Sequence, residues 1–231
     1  MQYNSYNPKS RAELKDTAKE KLKGNWSNAI LVCLVVFILT GGVSLTISGR
    51  EFVMYGVNAR NTYNFGDLIK LIIGGPMSLG MVYYFLNLLR DKEARIEDAF
   101  SGFRNFASAF LVQLLSEIFI ILWALLLIIP GIIAALSYSM AYYILNDNPE
   151  LSAMDVIRES KKLMDGEKAR LFVLGLSFLG WIIVGVITLG IGFLWITPYM
   201  NATMAAFYED LKRRKLVNND IYKPDNYTEN P

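Results

Sequence analysis

Glu117 has the least ordinary surroundings of any ionisable residue in the chain. It stands inside FLVQLLSEIFIILWALLLIIPG, the only acidic side chain deep within an apolar run. An ionised carboxylate in hydrocarbon is expensive, so such a residue is paired, protonated or functional. Gln113 precedes it by four positions and shares its helical face, a spacing at which the two side chains can hydrogen-bond; Ser116 is adjacent. Tyr142, Ser139, Tyr199, Asn201 and Thr203 are the polar residues of other apolar runs that offer it partners. Two uses stand open. One is a neutral glutamic acid that staples helices together; the other is a ligand, proton or ion pathway built from Glu117, Gln113, Asn201 and Thr203. No coupling ion is specified.

Other chemistries find little support. The chain has no histidine, which excludes Ser-His and Cys-His nucleophiles and His-ligated zinc. Cys33 is the lone cysteine and lies in an apolar run, so there is no disulfide framework and no thiolate metal site. G-x-x-x-x-G-K-[ST], H-E-x-x-H and G-x-S-x-G are all missing. Asp147, Glu150 and Asp155 gather in NDNPELSAMD, which reads as a helix exit at Asn148-Pro149 followed by a Ser152 cap with Asp155 three residues on. The expectation is therefore no catalytic residue, no metal and no cofactor.

Six apolar segments must position these residues: about 28 to 48, 68 to 89, 107 to 129, 131 to 146, 171 to 190 and 192 to 209. Apolar and aromatic residues make up 53% of the chain and mean hydropathy is +0.31, more than a soluble core absorbs. A bilayer core of about 30 Å takes roughly 20 helical residues per crossing, which several runs supply. The first run follows a basic arm and lacks an A-x-A-like site, so it reads as a retained span instead of a signal peptide. Residues 1–10 and 213–231 read as a flexible tail and a polar tail, leaving 11–212 as one membrane domain.

Lys and Arg sort to one side of a six-crossing bundle. They precede the first span and lie between the second and third, between the fourth and fifth, and after the sixth. The other side receives Arg50, Arg60 and Lys70. The positive-inside rule then places both termini in the cytoplasm. Self-similarity also emerges: a charged stretch, a long apolar helix and a Pro-started helix with an aromatic pair occur three times. The stretches are 11–26, 96–106 and 152–170; the pairs are Tyr83-Tyr84, Tyr142-Tyr143 and Phe207-Tyr208, read as interfacial belts. In the second stretch Ile96, Ala99, Phe100, Phe103 and Phe106 recur at helical spacing, predicting an amphipathic helix on the membrane surface with Trp26, Phe100, Phe103 and Phe106 at headgroup depth. Pro76, Pro130 and Pro198 read as helix starts, and Gly74, Gly75, Gly80, Gly175 and Gly180 as points of close packing. The basic run Lys212, Arg213, Arg214, Lys215 is juxtamembrane and suits anionic lipid, not nucleic acid.

GNWSNAI, FSGFRNF, LLLIIPGIIAALSYSMAYYILNDNPELSAMDVIRESKKLM and LGIGFLWITPYMNATMAAFYEDL together resemble the bacterial domain-of-unknown-function 975 family across residues 11–212. That resemblance implies an integral membrane protein, chiefly of Gram-positive bacteria, and brings no reaction, substrate or site residue. The expected molecule is an all-α, non-enzymatic, multi-pass protein of the bacterial plasma membrane with about six transmembrane helices in three degenerate repeats. It is expected to bind membrane lipid, a peptide or a partner membrane protein, with envelope homeostasis as the setting. The alternative is a small transporter or channel that uses Glu117.

Overall fold

The computed structural model describes residues 7–42 and 65–217, and every regular element among them is helical. Helix α1 (Arg11–Leu22) opens with a reciprocal cap. The Ser10 hydroxyl accepts from the Glu13 amide at 3.3 Å, and the Glu13 carboxylate accepts from the Ser10 amide at 2.7 Å. Leu14, Ala18 and Leu22, each four residues on, form its buried stripe against α10 (Phe193–Val217). At Gly24 the backbone takes φ +85°, which suits a residue without a Cβ, and α2 (Trp26–Phe37) leaves at 99° to α1.

Helix α3 (Phe65–Leu89) contains Pro76 in its interior, and α10 contains Pro198; among the three prolines expected to start helices, only Pro130 lies in the first turn of its helix, α5 (Ile128–Tyr138). Neighbouring helices shelter the backbone groups that such prolines free inside a bundle. After α3 the chain forms a 3₁₀ helix, Ile96–Asn105, which runs on into α4 (Phe106–Leu126) as one 31-residue stretch. The helix expected here is thus of the tighter 3₁₀ form. Three residues per turn put positions i and i+3 on one edge, so Ala99 and Gly102 face inward while Phe100, Phe103 and Phe106 line up on an outer edge. The inner edge lies so close to α3 that a Cβ built on Gly80 would fall 1.9 Å from the Ala99 carbonyl oxygen, and one on Gly102 2.0 Å from that of Pro76. Gly175 and Gly180, by contrast, have open space where a side chain would go.

Two of the remaining helices are broken midway. Helix α5 gives way at Ser139-Met140 to α6 (Ala141–Asp147), and α8 (Lys168–Leu176) gives way at Ser177-Phe178 to α9 (Leu179–Ile187). Charged stretches supply donors at both breaks. The Ser160 hydroxyl on α7 (Ala153–Leu163) donates to the Ser137 carbonyl at 2.8 Å, and the Lys15 ammonium on α1 donates to the Ser177 carbonyl at 2.9 Å. Helix α7 is itself capped as expected, the Ser152 hydroxyl accepting from the Asp155 amide at 3.2 Å.

Among the described residues, four stretches can cross a membrane by length and composition: 71–89, 96–126, 128–147 and 168–187. The bent pair α1–α2 is a fifth candidate. The sixth expected span falls on α10, which does not qualify. Its middle is a central strut, with Ala202, Thr203, Ala205, Ala206, Phe207 and Tyr208 buried, so it has no need of a lipid-compatible surface. Residues 43–48 of the first expected span, together with Arg50 and Arg60, lie outside the described residues. The core is concentrated where the charged stretches gather, around Tyr84, Phe85, Tyr143, Ile144, Met164, Phe207 and Tyr208. The aromatic pairs thus contribute to the core rather than to a belt, Tyr84, Tyr143, Phe207 and Tyr208 all being at most 6% exposed. At the opposite end Leu125, Ile128, Ile187 and Leu189 are 73–93% exposed.

Candidate functional site

Of the residues expected around Glu117, the structure assembles some and disperses others. Glu117 is exposed on the flank of α4 and accepts from Gln113 Nε2 at 2.9 Å. Gln113 rests on the Gly74-Gly75 step of α3, and its Oε1 is buried without a hydrogen-bond partner. Tyr142, hydrogen-bonded to Ser78, lies within electrostatic reach of Glu117. Asn201 and Thr203 do not join this group. Asn201 Nδ2 donates to the Thr197 carbonyl at 2.9 Å and Thr203 Oγ1 to the Tyr199 carbonyl at 2.8 Å, so both are satisfied within α10. Ser139 likewise donates to Leu136 of its own helix, and Tyr199 packs edge-on against Phe178 and Trp181.

A second polar centre, not foreseen from the sequence, joins the ends of α3 and α6 to the side of α10. Arg90 donates through both terminal nitrogens to Asp147 at 2.9 Å and through Nε to Glu209 at 2.7 Å. Asp147 also accepts from Lys212 at 2.7 Å and from the Tyr208 hydroxyl at 3.0 Å. Burial opposes the charge on Arg90, but the Asp147 and Glu209 carboxylates outweigh it and raise its pKa. Close by, Asp210 accepts from the Lys9 amide at 3.1 Å and pairs with Arg170, while Glu167 pairs with Arg214. Asp210 and Glu167 are buried, and the Arg170 guanidinium covers the Phe207 ring at 5.1 Å. These ties fix Lys9 and Ser10, and α10 continues as helix to Val217. The available sequence signal was positional: Arg90, Asp147 and Glu209 each come shortly after one of the aromatic pairs.

The third feature is on the outside. Phe100, Phe103, Phe106 and Phe110 form a row of stacked rings with centroids 6.5, 6.4 and 6.2 Å apart, and the first three are 39–45% exposed. The row continues into the exposed apolar face of α4 at Leu111, Ile118, Ile121 and Leu122. Beside its start is a cavity of about 650 Å³ between the first turn of α2 and the 92–97 connection, lined among others by Asn25, Asn28, Lys92, Arg95 and Glu97. Trp26 is half-buried next to it and packs on the core.

Helices this long, with apolar side chains left uncovered along α4, α8 and α9, define an all-α multi-pass membrane protein. The family described as Protein of unknown function (DUF975) matches over residues 1–137 and 124–215, and the chain belongs to it. No curated protein and no solved structure matches the chain.

Proposed function

We propose that this chain is a non-enzymatic protein of the bacterial plasma membrane that works by binding phospholipid at its basic end, with both termini cytoplasmic. The observation that carries the reading is the exposed phenylalanine row. Stacked rings in open contact with their surroundings, continuous with a lipid-compatible helix face and flanked by Lys and Arg, suit a surface that meets headgroups and upper acyl chains. A threefold repeat completes the proposal. Each charged stretch has an acid in its first turn turned back on the preceding residue, in the pairs Ser10 and Glu13, Arg95 and Asp98, Ser152 and Asp155. Each packs on a helix that carries an aromatic pair: α1 on α10, the 3₁₀ helix on α3, and α7 on α6. On this reading α10 is the sixth helix, inserted as the third unit's partner to α8–α9. The test is the phospholipid content of the full-length chain purified in mild detergent. Stoichiometric retained phospholipid is expected; lipid-free protein that is nonetheless folded contradicts the reading.

The transporter or channel reading is favoured by one observation, the polar contacts that join Ser78 of α3, Gln113 and Glu117 of α4, and Tyr142 of α6. It requires water along that line. In proteoliposomes carrying Ser78→Cys in a Cys33→Ser background, labelling by an aqueous thiol reagent supports it and complete protection rejects it.

A further inference from the structure

The cavity beside α2 and the phenylalanine row are two parts of one outline. In a 3₁₀ helix residues three apart are eclipsed, so Glu97, at the cavity wall, stands on the same edge as Phe100, Phe103 and Phe106. From Glu97 to Phe106 that edge spans about 18 Å at a rise of about 2.0 Å per residue, and it leads into α4, whose 21 residues are enough for a crossing of about 30 Å. A polar cavity thus opens at the head of an aromatic track that leads down to the membrane-crossing part of α4.

The cavity is lined by groups of both signs. Lys92, Asn25 and Asn28 offer donors, and Arg95, held by Glu93 at 2.8 Å, offers another. Glu93 and Glu97 offer carboxylates. Lys92, Asn28 and Glu97 are exposed at the cavity, with Glu97 in electrostatic reach of Arg95. An anionic headgroup would meet two carboxylates, and a choline headgroup could not hydrogen-bond to them. A phosphate joined to a primary ammonium satisfies both sets: phosphate oxygens on Lys92 and the two amides, ammonium on Glu97 and Glu93. We propose that this cavity binds a phospholipid with an ethanolamine-type headgroup, whose acyl chain follows Phe100, Phe103 and Phe106 into the leaflet.

The inference rests on the lipid-binding reading above, and the experiment separates the two. Full-length chain in mild detergent is offered equal amounts of phosphatidylethanolamine, phosphatidylglycerol and phosphatidylcholine, and retained lipid is counted by native mass spectrometry. Wild type should retain phosphatidylethanolamine about tenfold over phosphatidylglycerol. Glu97→Lys should turn that preference toward phosphatidylglycerol, a gain that a misfolded variant cannot imitate, and Lys92→Glu should lower retention of all three. Free phosphoethanolamine should not displace the lipid at equal concentration, because it lacks the chain. Retention without headgroup preference, or a ratio unmoved by Glu97→Lys, overturns the headgroup assignment and leaves lipid binding standing, whereas displacement by free phosphoethanolamine overturns the acyl track along the phenylalanine row. No retained lipid at all overturns both.

Discussion

A methyl group added to Gly80 would collide with the Ala99 carbonyl oxygen, and one added to Gly102 with that of Pro76. Both obstacles are backbone atoms, which cannot swing aside as a side chain would. Gly80→Ala or Gly102→Ala should therefore force the 3₁₀ helix off α3 at a cost of about 3 kcal/mol, the upper part of the range for overpacking. Cys33 reports the outcome, being the only thiol in the chain and buried between helices. With a thiol-reactive dye, each variant should unfold about 10 °C below wild type, whereas Gly175→Ala, which meets nothing, should not shift. Equal midpoints for Gly80→Ala and wild type would mean that the two segments do not approach as described. At this scale the sequence marked glycines as packing residues without saying which backbone would approach them, since that depends on a segment elsewhere in the chain.

At the scale of elements, Arg90 ties the ends of α3 and α6 to α10 through partners 57 and 119 residues away. Arg90→Ala would leave Asp147 and Glu209 facing one another across a half-buried space, with Lys212 as the remaining cation. About 2 kcal/mol of stability should be lost, less than for a fully buried pair because the Arg90 and Glu209 side chains are 24% and 22% exposed. Arg90→Lys should recover only part, as an ammonium cannot make the forked contact. The same thermal assay decides: Arg90→Ala as stable as wild type would reduce the junction to a surface pairing. What the sequence disclosed of the elements follows from how local each is. The Ser152 cap and the broad helix pattern depend on neighbours within four residues and were legible. The 3₁₀ helix was not, because Phe100, Phe103 and Phe106 fit either helical period over so short a run. Asp147 passed for a helix exit because its cationic partners belong to other helices. Asn201 and Thr203 looked available to Glu117 as residue types, yet each bonds to its own helix backbone.

The whole molecule has a dense end, where the charged stretches and helix termini interlock, and an apolar end whose turns carry bare aliphatic side chains. In the proposed orientation, which follows the positive-inside rule, the dense end faces the cytoplasm. In a Cys33→Ser background, Arg213→Cys should react with an impermeant thiol reagent only from the cytoplasmic side and Arg60→Cys only from outside; labelling of both from one side would refute the topology. The central claim, that the phenylalanine row meets lipid, is tested most directly at Phe103. With Phe103→Cys in the Cys33→Ser background, carrying an environment-sensitive fluorophore in reconstituted vesicles, emission should shift to the blue and be quenched by lipid-borne nitroxide but not by aqueous iodide. Emission typical of water, quenched by iodide and untouched by the lipid probe, would contradict the account.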